Sequence, residues 1–128
     1  MPMPCEIAVK SVIPAIRAHI AKELVQTYRM KQTDVADVLG ITQTAVSKYI
    51  SNVRGQAIQI DHTEEIQSMM NDVASQITSE KISRSELVLK FCSICRAVRR
   101  NGLMCKLCEI SNRELDVKHC IICKTREP

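Results

Sequence analysis

The stretch that decides the fold is QTDVADVLGITQTAVSKYI, Gln32–Ile50. Gln32–Gly40 reads as a short helix. Gln32 or Thr33 serves its start, and Gly40 tolerates the positive φ needed just past its end. After Ile41, Thr42 is placed to N-cap a following helix, QTAVSKYI. Two short helices joined by a glycine-containing turn have the form of a helix-turn-helix. Counted from Gln32, small Ala36 stands fifth, where the two helices cross closely, and Gly40 stands ninth, at the turn. Val35, Leu39, Ile41 and Val46 take the positions that must be buried between them. Gln43, Thr44, Ser47 and Lys48 are left on the outer face of the second helix. That hydroxyl, amide and ammonium set suits groove contact, whereas a merely solvated αα-hairpin face would more often carry Glu/Lys pairs.

Working outward, residues 14–30 predict a preceding helix. Pro14 suits a first turn, and Ile16, Ile20, Leu24 and Tyr28 share one face. Downstream, from about Asp61 to Ile77, Ile66, Met69, Met70, Val73 and Ile77 recur at three and four residues and make one apolar stripe. The stripe can pack on the first helices or pair two copies of the chain. Thr78–Ser83 reads as a hinge. Ser83 with Glu86 is a capping box opening RSELVLKFCSICRAVRR, which ends at Asn101–Gly102. The predicted class is mainly α: a repressor-like helix-turn-helix over residues 1–57, an amphipathic helix and hinge over 58–82, and a cysteine module over 83–128.

The stretch KQTDVADVLGITQTAVSKYISNVRG resembles the phage-repressor-like (XRE, Cro-type) helix-turn-helix family. The preceding PCEIAVKSVIPAIRAHIAKELVQTY is similar to the opening of a group of predicted archaeal transcriptional regulators of that type. The resemblance covers about residues 1–55 and implies sequence-specific binding of double-stranded DNA. In the usual repressor fold two further short helices close the domain; this chain offers one longer amphipathic pattern instead.

Composition agrees with helices packed on helices. The chain has 128 residues, one Phe, two Tyr and no Trp, so its core must come from aliphatic residues, Met and Ala. Three glycines and four prolines are too few for an all-β sandwich. The N-terminus lacks a signal-peptide core and no apolar run reaches a membrane span, which predicts a cytoplasmic chain with no membrane partner. The net charge of +4 is uneven. Residues 1–57 hold seven Lys/Arg against four acids, residues 58–90 three against six, and residues 91–128 eight against four.

Six of the seven cysteines form three C-x-x-C pairs, Cys92/Cys95, Cys105/Cys108 and Cys120/Cys123. Three-residue spacing brings two sulfurs to one helix face or turn, within reach of one metal ion. Clustered cysteines without a secretory signal point to metal or redox chemistry rather than disulfides. Two readings stay open: a four-cysteine zinc site, or an iron–sulfur cluster, although the spacing matches neither common ferredoxin run. His119 is a possible replacement ligand, and Cys5 is expected to be a buried thiol outside the site. A segment of about 37 residues with one Phe cannot bury enough surface to fold alone, so metal would supply the missing stability.

The function predicted from these features is a DNA-binding transcriptional regulator, acting as a homodimer on two half-sites. Gln43 would pair with a base edge, Thr44 and Ser47 would reach bases or phosphates, Gln32, Thr33, Lys48 and Arg54 would hold the backbone, and Thr42 completes the DNA-binding set. The rival is a zinc-scaffolded protein-interaction module with a structural helix-turn-helix. No Gly-rich phosphate loop, nucleophile–His pair or spaced pair of acids suggests an enzyme.

Overall fold

Pro14 divides the N-terminal helical region in two. A proline ring cannot follow the carbonyl four residues back in an unbroken helix, and that carbonyl belongs to Lys10. The computed structural model, which describes residues 3–60, 63–112, 120 and 122–123, has α1 over Pro4–Lys10 and α2 over Val12–Gln26. Ser11 stands between them, with its hydroxyl donating to the Ile7 carbonyl at 2.7 Å. The pattern over residues 14–30 predicts α2 alone; α1 lies upstream of it.

Among the described residues five further helices follow: α3 over Gln32–Leu39, α4 over Gln43–Ile50, α5 over Glu64–Thr78, α6 over Arg84–Arg100 and α7 over Cys105–Ser111. Among the described residues there is no strand, so the chain is mainly α, as composition predicts.

Helix α2 is the hub. It packs against α1, α3, α4, α5 and α6, and it can do so because Ala15, Ala18 and Ala21 are buried beside Ile16, Ile20 and Leu24. Small side chains let several helices approach one axis; the branched ones fill the space between. Tyr28, read as the fourth member of that stripe, is instead 40% exposed. The helix ends at Gln26, and Arg29 turns the chain away at φ 60°.

The stripe on α5 is used in the core. Ile66, Met70, Val73 and Ile77 are buried and Met69 is half-buried, with α5 packed on α2 and α6. One hydrophobic cluster therefore runs from Ile7 to Cys108, continuous across the boundaries near residues 57 and 82. Asn101 adds a polar tie by donating to Glu65 at 3.3 Å.

Four helices end alike. A residue at positive φ follows the helix, and the next N–H donates five residues back. For α3 these are Gly40 at φ 66° and Ile41 N–H to the Ala36 carbonyl at 3.0 Å. For α6 they are Gly102 at φ 74° and Leu103 to Val98 at 3.3 Å. The other two use larger residues: Asn52 at φ 64° after α4 and Glu80 at φ 56° after α5. Their bonds run from Val53 to Lys48 at 2.9 Å and from Lys81 to Gln76 at 3.2 Å.

Candidate nucleic-acid interface and cysteine clusters

The α3–turn–α4 unit follows from short-range chemistry. Val35 and Ala36 of α3 face Ala45, Val46 and Tyr49 of α4, and all five are buried. Leu39 and Ile41 close the turn half-buried. The Thr42 hydroxyl accepts from the Ala45 N–H at 3.0 Å, the N-cap that the sequence predicts. At the end of α3, Arg84 donates from Nη2 to the Asp37 carbonyl at 2.9 Å. The cation from α6 thus meets the partial negative charge at the end of α3 and fixes that helix to the rest of the fold.

This packing leaves Gln43, Thr44 and Ser47 exposed on one face of α4, beside half-buried Lys48. Thr33 and Arg54 are exposed and Gln32 is half-buried. Thr42 is exposed, and with one lone pair used in the cap it keeps its hydroxyl proton and a second lone pair for a ligand. From Val38 to Ile60 the sequence holds no Asp or Glu, while Lys48 and Arg54 lie within it. Lys22 on α2 hydrogen-bonds the Asn52 side chain and anchors the turn after α4. The segment beyond is seated on α2 by Gly55, at φ 84°, where an added Cβ would lie 2.8 Å from both the Pro14 carbonyl oxygen and the Ala18 Cβ.

The cysteines sort by element. Cys92 and Cys95 lie one turn apart on α6, the first exposed and the second buried; Cys105 and Cys108 do the same on α7, half-buried and buried. Cys120 and Cys123 are half-buried. Burial pushes the Cys108 thiol up, and the charges of Cys123, Cys105 and Cys120 push it further. Burial also raises Cys95, opposed by the charge and hydrogen bond of Arg99, with Cys92 and Cys5 adding to the rise. Cys105, Cys120 and Cys123 thus act on Cys108, and Cys92 and Cys5 on Cys95, while Arg99 reaches both sets. Among the described residues no three Cys, His, Asp or Glu side chains converge at metal-ligating distance. His119 lies outside the described residues.

Two residues here were undervalued by the sequence reading. Cys5 is exposed on α1, not buried, and its sulfur accepts from Arg99 Nη1 at 3.7 Å. Arg99, near the end of α6, is only 6% exposed. Its Nε donates to the Cys123 sulfur at 3.3 Å. Burial opposes the guanidinium charge, but the hydrogen bonds and charges of Cys123 and Cys5 outweigh it and raise Arg99. No spacing signal could have found this, because Cys5 and Arg99 are 94 residues apart.

Among the described residues no helix is long and apolar enough to cross a membrane. No family model matches the chain, and no curated protein or solved structure matches it.

Proposed function

We propose that the chain is a transcriptional regulator that binds specific double-stranded DNA through an α3–α4 helix-turn-helix, with α4 entering the major groove. The observation that carries this reading is the outer face of α4. Gln43, Thr44 and Ser47 stand exposed on a helix whose opposite side is locked by Ala45, Val46 and Tyr49 and whose start is capped by Thr42. The absence of acids from Val38 to Ile60 keeps that face free of repulsion toward phosphate. Gln43 reads a base edge, adenine fitting its amide best. Thr44 and Ser47 reach bases or phosphates, while Thr33, Gln32, Lys48 and Arg54 hold the backbone. The resemblance to XRE-type archaeal regulators points the same way. Regulators of this kind act as homodimers on half-sites about 34–36 Å apart. Because α5 is taken up by the core, pairing of copies falls to another surface.

The cysteine module serves this reading as a metal-bound scaffold. Cys105, Cys108, Cys120 and Cys123 fit a structural zinc ion in donor chemistry, and the charges of the other three act on Cys108. Zinc there would supply folding energy to a segment with little apolar core. Arg99, donating to Cys123, would offset the negative charge of a four-thiolate site. An iron–sulfur cluster on the same thiols is the alternative cofactor, and a brown colour with bound sulfide would identify it.

The test is selection of preferred sites from random duplex, followed by titration at several salt concentrations. Gln43→Ala should cost about 1–3 kcal/mol and relax preference at one base, while Lys48→Ala should weaken all sequences alike and flatten the salt slope. A wild-type chain that enriches no sequence would refute the proposal and favour a protein-interaction module. An unchanged base preference in Gln43→Ala would refute the assignment of that residue.

A further inference from the structure

We propose that Cys5, Cys92 and Cys95 form a second metal-binding centre, separate from the four C-terminal cysteines, with three protein thiolates and a fourth position facing Arg99 and Arg96. The assignment extends the metal reading of the cysteine module and does not depend on DNA binding.

The three thiols line one cavity of about 300 Å³ between α1 and α6, with Arg96 and Arg99 in the same wall. Cys92 and Cys95 are one turn apart, as two ligands of one ion require. Cys5 approaches from α1, and its charge acts on Cys95. The three sulfurs stand apart from ligating distance in this structure, so metal binding must draw them together.

The arginines supply the second argument. Arg99 is buried, and two of its nitrogens reach sulfur. Its third, Nη2, is enclosed with no hydrogen-bond partner among the described residues, and so is Arg96 Nε. Enclosed charged donors without acceptors are costly, and no carboxylate among the described residues lines the cavity. A negatively charged occupant resolves this. A divalent ion displacing three thiol protons gives a tris-thiolate with net charge −1, and an anionic fourth ligand adds another. Both charges face the guanidinium groups.

The competing occupants fit less well. A free oxyanion would satisfy the arginines but gain nothing from three thiols, and would be repelled by any that ionised. A disulfide between two of the thiols would remove negative charge beside Arg99 and strand the third. A metal ion uses all three sulfurs and both arginines at once.

The experiment is titration of the reduced full-length chain with Co(II) and then Zn(II). Bound metal is counted, and the loaded protein is treated with iodoacetamide and mapped by mass spectrometry. Expected for the wild type are two ions per chain and protection of Cys5 with the other six cysteines. Cys5→Ser should bind one ion, leaving Cys92 and Cys95 open to alkylation and Cys105, Cys108, Cys120 and Cys123 protected. Cys92→Ser, at an exposed position, should do the same and guards against a folding defect in the first variant. Cys108→Ser should bind one ion with Cys5, Cys92 and Cys95 still protected. One ion guarded by the four C-terminal cysteines, with Cys5 freely alkylated, would overturn the second centre and leave the zinc scaffold standing. One ion guarded by Cys92, Cys95, Cys105 and Cys108 together would overturn both.

Discussion

Gly55→Ala tests how the segment after α4 is held, and its cost follows from two independent terms. The first is backbone conformation: Gly55 sits at φ 84°, and a residue with a Cβ loses about 1–2 kcal/mol in the left-handed region. The second is space. The new methyl would stand 2.8 Å from the Pro14 oxygen, 2.8 Å from the Ala18 Cβ and 3.3 Å from the Tyr49 ring. The Pro14 oxygen is backbone on a helix whose φ is fixed by the ring, so it cannot step aside as a long side chain would. Overpacking of this kind costs about 1–3 kcal/mol. Together the terms give about 2–5 kcal/mol, a large share of the roughly 5–15 kcal/mol by which domains of this size are stable. The assay is urea unfolding of the full chain followed by helical circular dichroism. With a slope of about 1–3 kcal/mol per molar urea, the midpoint should fall by roughly 0.7–5 M. Ala18→Gly should rescue part of the loss in the double variant, since it removes one of the two closest contacts but neither the backbone contact nor the φ penalty. A destabilisation below about 0.5 kcal/mol would refute the reasoning and mean that residues 51–60 lift from α2 at little cost. Arg54, next to this glycine, would then lose its fixed position relative to α4.

Other consequences concern the cap, the metal and the thiols. Thr42→Ala should lower stability by about 1 kcal/mol through loss of the bond to Ala45, while Thr42→Ser, which keeps the oxygen, should stay near wild type; equal losses in both would remove the cap from the account. Chelation of the purified protein should reduce the protection of amides in α7 against hydrogen exchange while leaving α2 and α5 protected, because the latter pack through aliphatic side chains. Unchanged exchange in α7 would deny metal a structural role there. In reduced, metal-free protein, burial raises Cys95, on α6, above the ordinary thiol value of 9.0. The unfolded chain therefore loses that proton first, so stability should be full below about 9.0 and fall as pH rises beyond it. Flat stability across that window would contradict the burial of this thiol.

The parts of the molecule legible in the sequence are those fixed by neighbours a few residues apart. Gly40, Thr42 and the spacing of Val35, Ala36 and Val46 determine α3, its turn and α4, because each feature satisfies a helix end or one face locally. Ser83 and Glu86 open α6 on the same terms, with the Ser83 oxygen accepting from the Glu86 N–H at 3.2 Å. The apolar stripe of α5 is equally plain, but whether it faces the core or another copy is not a local property. Packing on α2 and α6 decided it.

Elsewhere the local signal was weak or misleading. Asn52 and Glu80 end helices at positive φ without being glycine, a conformation that Asn takes far more readily than Glu. Helix α7 is seven residues long and its cysteine pair reads equally as a turn; contact with α1 stabilises it as a helix. The contents of the cysteine region were legible as three pairs, but their partners were not. Tertiary structure brings Cys5 from the first helix to Arg99 near the end of the sixth and Arg99 to Cys123 beyond the seventh. Sequence spacing measures what one turn of helix can bring together; grouping thiols around one buried guanidinium requires the whole core to close first.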